Sequence, residues 1–178
     1  MRAFSLNQPS TPSAPVDGAD PKGAVLLTEI LDASCIRLDL AASTKDAVIE
    51  SLVQALHENK AVSDTRRMVA DIQQRERVMS TGIGGGIAVP HAQSAGATRL
   101  ALALGRVARP IDFDALDERP VQLVFLVVGP EERGGFIRVL ARISRLLYSG
   151  DLQRSLLQAR SSVDAMELIR REEARITG

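Results

Sequence analysis

Tryptophan is absent from this chain, tyrosine occurs once and phenylalanine four times. With aromatics at 3% of residues, there is no row of rings on which the bases of a single strand could stack. Neither sign of charge is in excess: 22 Lys and Arg stand against 22 Asp and Glu, so the basic footprint of a nucleic-acid binder is missing. Cysteine occurs once, at Cys35, which rules out an intramolecular disulfide and suits a reducing compartment. Cys35 itself reads as a small buried hydrophobe. No apolar run approaches the ~20 residues that span a bilayer. The N-terminus carries one arginine and no apolar stretch ahead of its polar segment, so it does not read as a secretory signal. The expectation is a cytoplasmic protein that does not insert into a membrane.

What the chain does have is 178 residues, 45% of them hydrophobic, enough for one domain with a sizeable core. Residues 1–24 are set apart by Pro, Ser, Asp and Gly, a composition that cannot offset the entropy of ordering, and read as a disordered extension. From Leu26 the pattern is α/β. Leu27 to Leu31 reads as a short helix, and Ile36 to Leu40 alternates as an edge strand does. Ser43 and Asp46 suggest a capping box ahead of a helix with Val48, Leu52 and Leu56 on one face. Asp64 suits the cap of a second helix through Met68, Val69 and Ile72 to Arg75. Glycine-broken strand segments are expected around 82–89. Leu100 to Leu104 and Val121 to Val128 read as buried strands, the second nearly all apolar as an internal strand should be. Phe136, Leu140, Ile143 and Leu147 mark a long amphipathic helix, and two more helices start at Asp151 and at Ser161 or Ser162.

Histidine occurs only twice. His57 falls at a helix C-terminus, where it complements the dipole, and no chemistry is assigned to it. His91 ends the stretch Ser80-Thr81-Gly82-Ile83-Gly84-Gly85-Gly86-Ile87-Ala88-Val89-Pro90-His91. A neutral imidazole nitrogen can accept a group and give it up again. Glycines suit a tight turn or the close approach of an anion or a partner. Spacing excludes three glycine motifs. A P-loop needs Lys and then Ser or Thr, where this chain has Ile87-Ala88. A dinucleotide fingerprint needs glycine at Ile87 or at Val89. A nucleophile elbow needs a serine between glycines. The residues alone leave two readings open: a glycine-rich hairpin beside a partly buried histidine, or a nucleophile. No metal site is expected, since His91 has no Cys or His neighbours at ligand spacing, and no cofactor is implied.

The segment Arg75-Glu76-Arg77-Val78-Met79 followed by Ser80 to His91 resembles the phosphohistidine segment of enzyme IIA domains of the fructose/mannitol class. These belong to the bacterial phosphoenolpyruvate-dependent phosphotransferase system and include its nitrogen-regulatory branch. The resemblance continues through Pro110-Ile111-Asp112-Phe113, Pro120 to Val128 and Leu140 to Leu147, and so covers about residues 26–176. It implies an enzyme IIA (type 2) domain over 25–178, built as a three-layer α/β/α sandwich on a central mixed β-sheet. It further implies that His91 takes a phosphoryl group from an HPr-like phosphocarrier protein and passes it to an enzyme IIB domain, or keeps it as a regulatory state toward a target protein. Such a chain is a phosphohistidine carrier in sugar transport or nitrogen regulation rather than a multiple-turnover enzyme. Arg75 matches the family's active-site arginine, and a guanidinium fork suits phosphate. Thr81 and the Gly84, Gly85 and Gly86 backbone are expected to support it with hydrogen-bond donors.

One family feature is missing. A second histidine usually stands near the start of the long helix, and here that place holds Phe136, which can neither donate a hydrogen bond nor carry charge. Arg133 and Arg138 are the candidates to reach the phosphate instead. The departure supports an alternative: a regulatory interaction module that has lost efficient phosphotransfer.

Overall fold

The strand runs of the sequence assemble into one six-stranded mixed sheet. In this computed structural model residues 25–131 and 135–177 are described. The expected N-terminal extension and Arg133 lie outside them. The elements run α1 (Leu27–Ile30), β1 (Leu31–Leu40), α2 (Lys45–Glu58), α3 (Thr65–Val78), β2 (Gly82–Gly84), β3 (Ile87–Ala88), β4 (His91–Gln93), β5 (Ala101–Ile111), β6 (Val121–Gly129), α4 (Phe136–Leu147), α5 (Asp151–Gln158) and α6 (Ser162–Thr177). The sheet order is β1-β5-β6-β3-β2, with β4 also paired to β6. β1 runs parallel to β5, β5 antiparallel to β6, and β3 and β4 parallel to β6. Helices α2 and α3 pack together on one face of the sheet, while α1, α4, α5 and α6 pack on one another on the other. The result is the expected α/β/α arrangement.

The two central strands carry the core. Ala101 to Val107 and Leu123 to Gly129 are buried throughout, as strands covered on both faces must be. Against them lie Val48, Ile49, Leu52 and Leu56 of α2 and Val139, Ile143 and Leu146 of α4, all fully buried. The amphipathic patterns of these helices therefore point where the sequence places them.

Local chemistry corrects the expected boundaries in four places. The cap of α2 is Thr44, whose hydroxyl accepts from the Ala47 N–H at 3.2 Å, one residue beyond the Ser43 and Asp46 box. Asp64 does cap α3, accepting from the Arg67 N–H at 2.9 Å, but the helix continues past Arg75 to Val78. β1 starts at Leu31, five residues before the alternating segment. Its first half is irregular in register against β5, and the Asp32 carboxylate accepts from the Ser34 N–H at 2.8 Å. β5 runs on through Gly105 and Arg106 to Ile111, and Pro110 fits because the β5–β6 register breaks between Arg106 and Ile111. Arg106 is tolerated in a buried strand because both terminal nitrogens of its guanidinium are used. It pairs with both oxygens of Asp39 at 3.0 Å and donates to the carbonyls of Leu156, Leu157 and Ala159 at the end of α5.

Candidate functional site

β3 and β4 are two short pieces of one lane along β6, interrupted at Val89-Pro90. Ile87 and Ala88 stand opposite Leu123 and Val124, and His91 opposite Val127. Proline has no N–H to give the ladder, but its carbonyl still accepts from the Val127 N–H at 3.0 Å. The kink leaves the Val89 carbonyl free to turn onto its own neighbour, and His91 Nδ1 lies 2.7 Å from that oxygen. A carbonyl only accepts, so Nδ1 carries the proton and Nε2 keeps its lone pair. Among the described residues Nε2 has no hydrogen-bond partner.

Burial pushes the proton affinity of His91 below the ordinary imidazole value. The Val89 carbonyl and the more distant Glu76 oppose that fall, and the Arg75 guanidinium adds to it. The ring is therefore neutral at pH 7 and nucleophilic at Nε2. Arg75 lies in the last turn of α3, where it donates to the Met79 carbonyl at 3.1 Å, and its charge is felt at His91. An open cavity of about 320 Å³ lies on the Arg75 side, lined by Asp71, Gln74, Arg75, Val78, Gln93 and Glu131, with His91 not among its lining residues. It is large enough for a phosphoryl group and a few waters.

Phe136 is the first residue of α4 and is buried. Its ring centroid lies 6.0 Å from that of His91, tilted by 56°. The place expected of a second histidine thus faces His91 and presents an apolar edge. Arg138, in the same first turn, is exposed.

The remaining expected residues part company. Thr81 sits next to Val89 in the hairpin, its carbonyl accepting from the Val89 N–H at 2.9 Å. Both its own donors are taken by Glu76, the hydroxyl at 2.6 Å. Gly84, Gly85 and Gly86 form the hairpin turn, all with positive φ (90°, 64° and 81°), which explains the glycine run. That turn lies beyond Ile87, which is level with Leu123, whereas His91 is level with Val127. Four strand residues separate the two levels, so the glycine turn and the His91 backbone stand about 13 Å apart along the lane. The Gly85 N–H donates to Asp117 at 2.8 Å. Glu76, which the sequence offered only as part of a motif, proves to be buried at 5% exposure behind the site. His57 is elsewhere, with Nδ1 on the Val62 carbonyl at 2.8 Å. Among the described residues no three His, Cys, Asp or Glu gather as metal ligands would, and no helix is long and apolar enough to cross a membrane.

Comparison with known proteins converges on one description. Residues 29–172 match the family model "Phosphoenolpyruvate-dependent sugar phosphotransferase system, EIIA 2". The "PTS system fructose-specific EIIABC component" of Bacillus subtilis is 32% identical over 148 residues, which are 83% of this chain but only 23% of that protein. The "PTS system fructose-specific EIIA component" of Haloferax volcanii is 30% identical over 80% of this chain and 94% of its own length. Among solved structures, the nitrogen regulatory protein IIA-Ntr of Neisseria meningitidis superposes with a TM-score of 0.74 at 29% identity, covering 80% of this chain and 97% of that one.

Proposed function

The chain belongs to the EIIA 2 family of the phosphoenolpyruvate-dependent sugar phosphotransferase system, and from that premise we propose that it is a phosphocarrier whose reversible acceptor is Nε2 of His91. The observation that carries this reading is the Nδ1 bond to the Val89 carbonyl, which leaves Nε2 as the bare nitrogen of a neutral ring. In the step proposed, the Nε2 lone pair attacks the phosphorus of a phosphohistidine on an HPr-like donor. The new P–N bond forms as the donor's P–N bond breaks, and the donor imidazole leaves with the electron pair. His91 keeps its Nδ1 proton on Val89, so the phosphorylated ring is cationic and later leaves as a neutral imidazole when the group moves on. Such a loose, in-line transfer depends on positioning and on positive charge at the peripheral oxygens. Arg75 supplies that charge.

The acceptor in this reading is an enzyme IIB domain or a regulatory target, and the place of work is the cytoplasm. The similar proteins include one named fructose-specific and one named nitrogen-regulatory, so either kind of acceptor fits this reading. Val78 and Met79 at the end of α3, and Ile137 in the first turn of α4, are exposed apolar side chains on the segments that carry Arg75 and Phe136. Apolar exposure of that kind suits the transient docking of another protein. The test is single-turnover transfer from a phosphorylated HPr-like carrier to the wild type and to His91→Ala, which offers no nucleophile and takes no phosphate. Equal labelling of the two would overturn the proposal.

A second reading has its own observation. The Phe136 ring at 6.0 Å gives the phosphoryl group no donor where the family has a histidine. A regulatory module that binds its target without relaying phosphate efficiently fits that face. The same assay separates the two, because a relay component labels within its donor's turnover and a module of this kind does not.

A further inference from the structure

Behind His91 lies a buried carboxylate that the proposed transfer does not itself use. Glu76, in the last turn of α3, is 5% exposed. A carboxylate so buried is tolerated only when its oxygens are satisfied, and here one residue satisfies both. The Thr81 N–H reaches the two oxygens at 3.1 and 3.2 Å, and the Thr81 hydroxyl donates to Oε2 at 2.6 Å. Lys45 Nζ at the start of α2 stands 3.9 Å from Oε1. Thr81 is thereby fixed at the start of the hairpin. Its carbonyl accepts from the Val89 N–H at 2.9 Å, and the Val89 carbonyl is the one on His91 Nδ1 at 2.7 Å. The bonds at Thr81 and at Val89 each enter and leave through different peptide planes, so the connection is one of position rather than polarisation. The neighbouring Gly82 rests on Ala115, where even a Cβ would fall 2.6 Å from the alanine's own, so this end of the hairpin has no room to slide.

We propose that Glu76 and Thr81 are positioning residues that, by holding the Val89 carbonyl against Nδ1, keep His91 in the Nδ1–H tautomer with Nε2 unprotonated. Which imidazole nitrogen carries the proton is set by the bond the other one makes or lacks. If the carbonyl drifts, the proton can move to Nε2, and the accessible nitrogen then has no lone pair to offer. The consequence for rate rests on the phosphocarrier reading, but the tautomer itself can be read without any phosphate. The charged groups felt at His91 are Arg75, which disfavours its proton, and Glu76, which favours it.

The test uses the full chain with 15N-labelled imidazoles, recorded above the His91 titration. His57 serves as internal reference, since its Nδ1 bonds the Val62 carbonyl at 2.8 Å by an unrelated route. Wild type and Thr81→Ser are expected to show the Nδ1–H tautomer at both histidines. Thr81→Val and Glu76→Gln are expected to give a mixture at His91 alone, with phosphoryl acceptance reduced about tenfold. Glu76→Gln also lowers the His91 titration midpoint further, because a negative charge has gone. A purely structural role would change stability and leave the tautomer of the folded protein as it was. An unchanged Nδ1–H signal in both variants, or a wild type protonated at Nε2, overturns the proposal. If Glu76→Gln fails to fold, the Thr81 pair decides. A tautomer that shifts as expected in a protein that takes no phosphate upholds the positioning role and removes the phosphocarrier reading.

Discussion

At the scale of single residues, His91 is set by opposing neighbours, with burial the largest influence and the net proton affinity lowered. Its folded pKa therefore lies below the unfolded value of about 6.5. Phosphoryl acceptance should stay level as pH falls from 8 to about 6.5 and decline only below that, as the nucleophile protonates. The linked stability has the same sign: the contribution is complete above the unfolded pKa and is lost as pH falls through the folded one. A single-turnover pH profile checks this, and a decline that begins above pH 7 would contradict it. Arg75→Ala should slow acceptance roughly ten- to a hundredfold, the worth of one charge-assisted contact. Its thermal midpoint should barely move, since the side chain's hydrogen bond among the described residues goes only to the Met79 carbonyl. Phe136→His puts a donor where a ring now faces His91 at 6.0 Å and should accelerate acceptance. The swap gives up apolar burial worth about 1–2 kcal/mol, so melting is measured beside the rate. A folded variant no faster than wild type would show that another group already serves the phosphate.

At the scale of elements, the hairpin of β2 and β3 is the part least free to change. Gly82→Ala drives a methyl into Ala115 and should cost about 1–3 kcal/mol. Denaturant unfolding checks the figure through a lower midpoint at unchanged m. Long, strongly patterned elements were legible in the sequence: α2 and α4 by their apolar stripes, β6 by its unbroken apolar run. The failures have physical reasons. β4 is three residues placed by pairing with β6 alone, with no pattern of its own. The second half of β5 hides behind Gly105 and Arg106, whose charge is neutralised by Asp39 and by carbonyls far along the chain. At the candidate site, the motif and its spacing point to Arg75, His91 and the Phe136 departure, and the fold sets the Phe136 ring 6.0 Å from His91. The burial of Glu76 could not be read there, because a charged residue beside two arginines looks solvent-facing until Thr81 folds over it. Of the two uses the glycine run offered, a tight turn or the close approach of an anion, the fold shows the turn, at the other end of the strand lane.

At the scale of the whole molecule, a mixed sheet with helices on both faces holds a half-buried histidine near the end of an edge lane. The family is shown by the match over residues 29–172, and the relatives divide between fructose-specific and nitrogen-regulatory names on one architecture. The scaffold is thus shared across those names, and the proposed carrier role rests on one nitrogen atom, Nε2 of His91. The most direct measurement is to charge the full-length protein from a phosphoenolpyruvate-driven relay and locate the phosphate by 31P–15N coupling at neutral to alkaline pH, where phosphohistidine survives. The account predicts one phosphoryl group, on Nε2 of His91. Phosphate on His57, phosphate on Nδ1 of His91, or none at all would contradict it.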